Sequence, residues 1–271
     1  MIKKSKIKNN SDLLKIDAKK IQQELRRMSD PKKVSIYQSF FKTGPGQYGE
    51  GDIFIGVSVP SNRKVCRTNY LVSMNELEKL IRSKIHEDRL CALLILNEKI
   101  KKKIVRLSDA NRFYLKNKIY VNNWDLVDSS AAYVLGPYIF EQMRIDKKNK
   151  QASAKEILNS QYGRILLELV NSENLWDRRI AILASFYFIR QGQFQLTMSL
   201  CEMLMNDDQD LMHKACGWML REMGKKNVKS LKKFLDQFAH RMPRTMLRYS
   251  VERLEQKTKL KYMKQKAKKE Y

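Results

Sequence analysis

The sequence predicts an all-α protein built as a helical repeat, and three observations support this fold class. Its 271 residues include only 5 prolines and 10 glycines, and residues that favour helix dominate. Apolar residues recur with the i, i+3, i+4, i+7 spacing of amphipathic helices, and no segment alternates like a half-buried strand. The predicted helices form pairs that recur roughly every 35–45 residues, which is typical of a HEAT-like solenoid with a concave face. The charge of the chain predicts that this face is basic.

Capping signals and apolar periodicity locate the helices. Ser11 is predicted to cap a helix over 11–28, Ser73 one over 74–85, and Asp109 a short one that ends near Lys116. Pro60 and Ser61 look like a helix entry. The other predicted helices span 87–101, 123–140, 153–159, 162–171, 175–190, 193–205, 210–224, 227–239 and 243–254.

Two segments depart from this repeat. Residues 42–56 are rich in glycine and are predicted to form an irregular loop. Residues 257–271 are rich in lysine and are predicted to be a frayed helix or a disordered tail. This tail is either a solvated run of charge or an arm that grasps a polyanionic partner. We therefore expect one domain over residues 1–256, followed by the basic tail.

The net charge points to a polyanionic partner. The chain carries 54 Lys and Arg against 29 Asp and Glu, a formal charge of +25, which indicates nucleic acid first and an anionic membrane surface second. A hydrophobic content of 43% argues against disorder. No stretch has the length of a membrane span or a signal peptide, so we expect a cytoplasmic protein that associates with the nucleoid when bound to DNA.

Familiar enzyme motifs are missing from the sequence. It contains no phosphate-binding G-x-x-x-x-G-K-[ST], no dinucleotide fingerprint and no H-E-x-x-H. Three histidines offer little material for a catalytic triad or a zinc site, and His86 and His213 are expected to be surface or hydrogen-bonded helix residues. The four scattered cysteines are predicted to be buried free thiols. We expect no cofactor and no metal, which leaves chemistry by carboxylates or none.

Trp124 and Asp128 form the most informative pair. They are four residues apart, so a helix would place both on one face. The pair has two interpretations. Asp128 is either a structural residue, in a salt bridge or a cap, or the carboxylate of a site that stabilises a cation beside phosphate. Trp176 is predicted to be core, whereas Trp218 lies beside charged residues.

Several motifs resemble the AlkD family of DNA alkylation-repair glycosylases, which are built of HEAT-like repeats. The resemblance covers roughly residues 30–255. The motifs, in chain order, are GVSVPSNRKVCR, HEDRLCALLIL, WDLVDSS, LWDRRIAILASFYFI, HKACGWMLREMGK and MPRTMLRYSVERL.

The resemblance implies roles for particular residues. Asp128 matches the catalytic aspartate of the family, and Trp124 and Trp218 match two tryptophans of the active-site cleft. Asp125 fits the W-D-x-x-D pattern but lies about 100° away from that helix face. The residues implied to bind DNA are Arg178, Arg179, Lys214, Arg221, Arg244 and Arg248.

The implied activity is hydrolysis of the N-glycosidic bond of N3- and N7-alkylated purines in double-stranded DNA, without base flipping. Asp128 would stabilise an oxocarbenium-like transition state and position the attacking water. We expect a monomer with no membrane partner. Two alternatives stay open: a non-catalytic module that binds unusual or damaged DNA, and a helical adaptor for acidic proteins.

Overall fold

A computed structural model confirms the predicted all-α class. It describes residues 16–147 and 151–264, and within these ranges the regular structure is helical apart from an isolated bridge between Ile53 and Ile85. The chain divides into two compact units after Ser130. The predicted single domain over 1–256 stays a prediction.

The first unit is centred on one apolar helix. The helices of this unit are α1 (Ala18–Arg27), α2 (Pro31–Phe40), α3 (Val59–Asn69), α4 (Met74–Ile81), α5 (His86–Lys101), α6 (Leu107–Lys116), a 3₁₀ turn (Lys118–Tyr120) and α7 (Trp124–Asp128). The central helix is α5, which is buried from His86 to Leu96 and contacts α1, α3, α4, α6 and α7.

The second unit is a stack of helices. They are α8 (Leu135–Asp146), α9 (Ala154–Asn159), α10 (Arg164–Val170), α11 (Leu175–Arg190), α12 (Gln195–Met203), α13 (Asp210–Lys226), α14 (Val228–Phe238), α15 (Arg244–Ser250) and α16 (Gln256–Met263). α11 contacts α8 and α13, and α13 contacts α15, while α12 and α14 lie between α11, α13 and α15 in sequence and pack beside them. This pattern is expected for successive helical pairs.

Two glycines allow stacked helices to approach closely in this unit. A Cβ atom on Gly136 of α8 would lie 2.3 Å from the carbonyl oxygen of Ala184, and one on Gly217 of α13 would lie 2.5 Å from that of Met246. Both obstacles are helix backbone, which cannot move aside as a flexible side chain would. A close helix–helix contact that requires glycine therefore occurs at two positions of the stack.

Gly217→Ala is expected to lower the free energy of unfolding by about 1–3 kcal/mol, because the added methyl overpacks the contact between α13 and α15. Helix propensity alone predicts the opposite sign, a gain of about 1 kcal/mol. Urea denaturation measures the difference. Gly44→Ala is the matched control, since its Cβ would meet only the side chain of Gln47. Equal stability of the two variants would contradict the close-packing argument.

The helix predicted over 123–140 is wrong, because the chain forms two helices there, α7 and α8. Pro137 explains the break, since it has no N–H to donate to the carbonyl of residue 133 and its ring clashes there. It lies instead in the first turn of α8, where a proline is tolerated. Ser130 supports the turn, because its hydroxyl donates to the carbonyl of Leu126 at 2.6 Å and so competes with helix continuation.

Other boundaries also differ from the predictions. α2 was not predicted, although Asp30 caps it and Pro31 occupies its first position. α6 begins at Leu107, so Asp109 lies in its first turn rather than at its cap. Ser11 lies outside the described residues, and the first described helix is capped by Asp17.

The loop is irregular as predicted, whereas part of the tail is more ordered than predicted. Residues 42–56 are irregular, as predicted. The first part of the predicted tail is a packed helix, α16, because Tyr262 is buried and its hydroxyl donates to Asp236 at 2.8 Å; residues 265–271 lie outside the described ranges. No helix in the described part of the chain is long and apolar enough to cross a membrane.

Candidate active site

The short helix α7 carries the two residues that the sequence singled out. Trp124 begins it and Asp128 ends it, so their side chains share one face. Both are half-buried, whereas Leu126 and Val127 between them are fully buried. Asn123 caps the helix by accepting the N–H of Trp124 at 2.8 Å. A helix of five residues is not stable alone, so its neighbours must hold it in place.

A column of aromatic rings supports Trp124. Its indole stacks on Phe41, with 5.1 Å between ring centroids, and Phe41 stacks on Phe54 at 4.9 Å. Phe54 in turn stacks on the imidazole of His86 at 4.3 Å. Phe40, which is largely exposed, meets Trp124 edge-on at 5.5 Å. The loop 42–56 and the end of α2 therefore form the support of the tryptophan.

A network of charged side chains is centred on His86, the last ring of this column. His86 is bonded through Nδ1 to Asp52 at 2.7 Å and through Nε2 to Asp125 at 2.8 Å. Arg89 donates to the other oxygen of Asp52, and the amide of Asn123 donates to Asp52 at 3.4 Å. The network therefore joins the loop, the start of α5 and α7.

The protonation of His86 follows from this geometry. Burial would lower the pKa of His86, but the charges of Asp125 and Asp52 and the hydrogen bonds to them outweigh burial and raise the pKa to about 9. An imidazolium can donate to both carboxylates, whereas a neutral ring has one N–H. Burial raises the pKa of the Asp52 carboxyl, but His86 and Arg89 hold it below its ordinary value. At neutral pH both carboxylates therefore face a cation.

In the second unit, three predicted site residues share one face of α13: Lys214, Trp218 and Arg221 lie at i, i+4 and i+7. The indole N–H of Trp218 donates to Glu222 at 3.1 Å, and Arg221 pairs with Glu252. Lys214 pairs with Asp210 at 2.7 Å. Each of these three side chains therefore lies beside a carboxylate.

The remaining predicted cations of this unit differ in their surroundings. Arg178 donates to Asp207 at 2.6 Å and to the carbonyl of Ser172 at 2.9 Å, so a phosphate would have to displace these bonds. Arg179 is buried and donates to the carbonyl of Leu211 at 2.8 Å. Arg244 and Arg248 are exposed, one turn apart on α15.

Sequence reasoning missed the network of Asp52, His86 and Arg89. The two carboxylates bonded to His86 lie 34 and 39 residues away from it in the sequence, so no local sequence pattern indicates these bonds. The available signal was Asp125, a carboxylate turned away from the face of Trp124. Within the described ranges no cluster of His, Cys, Asp and Glu could hold a metal ion, and Cys66, Cys91, Cys201 and Cys216 are buried free thiols, as predicted.

Comparisons with known proteins identify the family. The model of a family described as DNA alkylation repair enzyme matches residues 21–254. A solved structure, described as a predicted DNA alkylation repair enzyme from Enterococcus faecalis, superposes with a TM-score of 0.62 at 15% identity, and the match covers 84% of this chain and 98% of that chain. That likeness shows the fold alone. No curated protein matches the sequence. Since the family match extends over most of its length, the chain belongs to the DNA alkylation repair enzyme family.

Proposed function

We propose that this protein is a DNA glycosylase that hydrolyses the N-glycosidic bond of N3- and N7-alkylated purines. One observation carries the proposal: the two carboxylates of α7 have different surroundings. Both are half-buried, but Asp125 is turned toward buried His86, to which it is hydrogen-bonded, whereas Asp128 lies on the helix face of Trp124. Of the two, Asp128 therefore has the position of a group that meets a substrate.

The reaction suits a site without a general acid. An alkylated N3 or N7 already makes the purine cationic, so the base departs neutral and needs no proton. Positive charge then develops on the deoxyribose, and the carboxylate of Asp128 would stabilise it and orient the attacking water. The indole of Trp124 would pack on the sugar or face the cationic base, where cation–π attraction contributes about 0.5–2 kcal/mol.

The rest of the molecule would supply affinity for DNA. A charge of +25 favours binding to the phosphate backbone, and this binding weakens as salt rises. Arg244 and Arg248 are exposed on α15 and available for phosphates. The proposal also includes the active-site role predicted for Trp218 and the DNA-binding roles predicted for Arg178, Arg179, Lys214 and Arg221. It further includes catalysis without base flipping by a monomeric protein. The substrate is double-stranded DNA, and no cofactor is needed.

Incubation with methylated duplex DNA tests the proposal. We expect 3-methyladenine and 7-methylguanine to appear as free bases, separated by chromatography, with an equal number of alkali-labile abasic sites in the DNA. Unmethylated duplex of the same sequence is the control and should release no base. A protein that binds the methylated duplex in a salt-dependent way but releases no base would instead be a non-catalytic module.

A further inference from the structure

The carboxylate of Asp125 and the indole of Trp124 are held by one closed chain of contacts. From Trp124 the chain runs through stacked Phe41 and Phe54 to His86. From His86 it returns through a hydrogen bond to Asp125, the next residue after Trp124. Both residues of this dipeptide are therefore fixed by the same histidine.

The other end of α7 is also tied to α5. The side-chain amide of Asn97 donates to the carbonyl of Ser129 at 2.7 Å, directly after Asp128. His86 and Asn97 are 11 residues apart on α5, close to three helical turns, so they lie on the same side of that helix. α5 thus holds α7 at its start and just beyond its end.

The start of α5 also holds the glycine-rich loop, residues 42–56, in place. Glu87, the neighbour of His86, accepts the backbone N–H groups of Ile55, Gly56 and Val57 at 3.1, 2.8 and 3.1 Å. The N–H of His86 itself donates to the carbonyl of Ile53 at 2.8 Å. These bonds fix the loop segment that supplies Asp52, which binds His86 from the side opposite Asp125.

We propose that His86, held between Asp52 and Asp125, is a positioning residue that fixes α7 and thereby orients Trp124 and Asp128 for reaction. The inference rests on the proposed glycosylase activity for the roles of those two residues. It assigns a task to three features that the reaction itself does not use: the buried histidine, the second aspartate of α7 and the glycine-rich loop. In this role His86 acts through its hydrogen bond to Asp125 and through the rings of Phe54 and Phe41.

The test variant, Asp125→Ala, removes the hydrogen bond between His86 and α7. In Asp125→Ala the pair of Asp52 with His86 and Arg89 stays in the core, so the protein should still fold. We expect single-turnover release of 7-methylguanine to fall about 10- to 100-fold, because a displacement on the order of 1 Å costs that much. The Kd for unmethylated duplex should stay within about two-fold, since α7 would move without loss of a cation. Asp125→Asn keeps an oxygen that accepts from His86 and should restore most of the rate.

A matched control separates positioning from stability. Asp88 is a fully buried carboxylate on the same helix, α5, but it pairs with Arg26 of α1 at 2.6 Å. Asp88→Asn should lower the unfolding temperature without changing the rate. An equal loss of rate in Asp88→Asn and Asp125→Ala would overturn the proposal, because general destabilisation would then explain both.

A spectroscopic readout is independent of catalysis. In full-length protein labelled with 5-fluorotryptophan, the ¹⁹F resonance of Trp124, assigned with Trp124→Phe, should shift or broaden in Asp125→Ala and stay in place in Asp88→Asn. An unmoved Trp124 resonance in folded Asp125→Ala would refute positioning by His86. If the wild-type protein releases no base, the glycosylase proposal fails, and this resonance alone then decides whether His86 positions α7.

Discussion

Replacing Asp128 with asparagine is expected to slow the release of methylated bases by about 10²- to 10³-fold. The amide keeps the size of the side chain and removes the negative charge that would stabilise the oxocarbenium-like transition state. DNA affinity should persist or increase, because a charge that repels phosphate is lost. Chromatography of released 7-methylguanine under single-turnover conditions measures the rate, and fluorescence anisotropy of labelled duplex measures the affinity.

Asp109→Asn is the matched control for this experiment. It removes the same charge from the same unit, on α6, where Asp109 makes a surface ion pair with Arg106 at 2.7 Å. This variant should release bases at the wild-type rate. Equal release by Asp128→Asn and the wild type would exclude Asp128 as the catalytic carboxylate, and a purely structural role for α7 would remain.

Raising the pH from 6.5 to 9.5 is expected to cost the fold about 3 kcal/mol through His86 alone. Its pKa in the folded protein is about 9, and in the unfolded chain it is about 6.5. Because the folded value is the higher one, the stabilisation is fully present below about pH 6.5 and is lost as the pH rises through 9. The folded protein binds the proton between Asp52 and Asp125, and deprotonation leaves a carboxylate facing a ring nitrogen without a hydrogen.

Urea denaturation of the wild type and of His86→Gln at the two pH values isolates this effect. Both proteins carry the ionisable groups around His86, which are Asp52, Asp125, Arg89 and Glu87, so the difference between the two proteins reports what depends on His86. The wild type should lose the additional stability, and the variant should not. If His86→Gln does not fold, NMR titration of the His86 Cε1–H signal gives the same answer, and a midpoint near pH 6.5 would contradict the proposed charge state.

The helix face shared by Trp124 and Asp128 could be predicted because it depends only on a spacing of four residues. The division of 123–140 into two helices could also have been predicted from Pro137, which a single helix would have placed in its interior. The helix over 31–40 lacked an apolar face, since none of its residues is buried. Its capping pair of Asp30 and Pro31 was the remaining signal.

The support of the site could not be predicted in the same way. Glycine-rich composition correctly indicated an irregular loop over 42–56, but it does not tell that Asp52 and Phe54 turn inward. Likewise, a lysine-rich segment after residue 256 looked too polar to pack, yet buried Tyr262 anchors α16 through its hydrogen bond to Asp236. In both cases a contact distant in sequence, rather than local composition, decides the structure.

The buried network of Asp52, His86 and Asp125 also limits how this sequence can evolve. Loss of Asp52 takes the shared carboxylate from two buried cations, His86 and Arg89, and loss of the histidine leaves two carboxylates facing each other across its place. Single neutral changes at Asp52 or His86 are therefore selected against, and a joint replacement by apolar residues has to include Arg89. Among descendants of this chain, Asp52, His86 and Arg89 should change together or not at all, even though the first lies in a different segment from the other two.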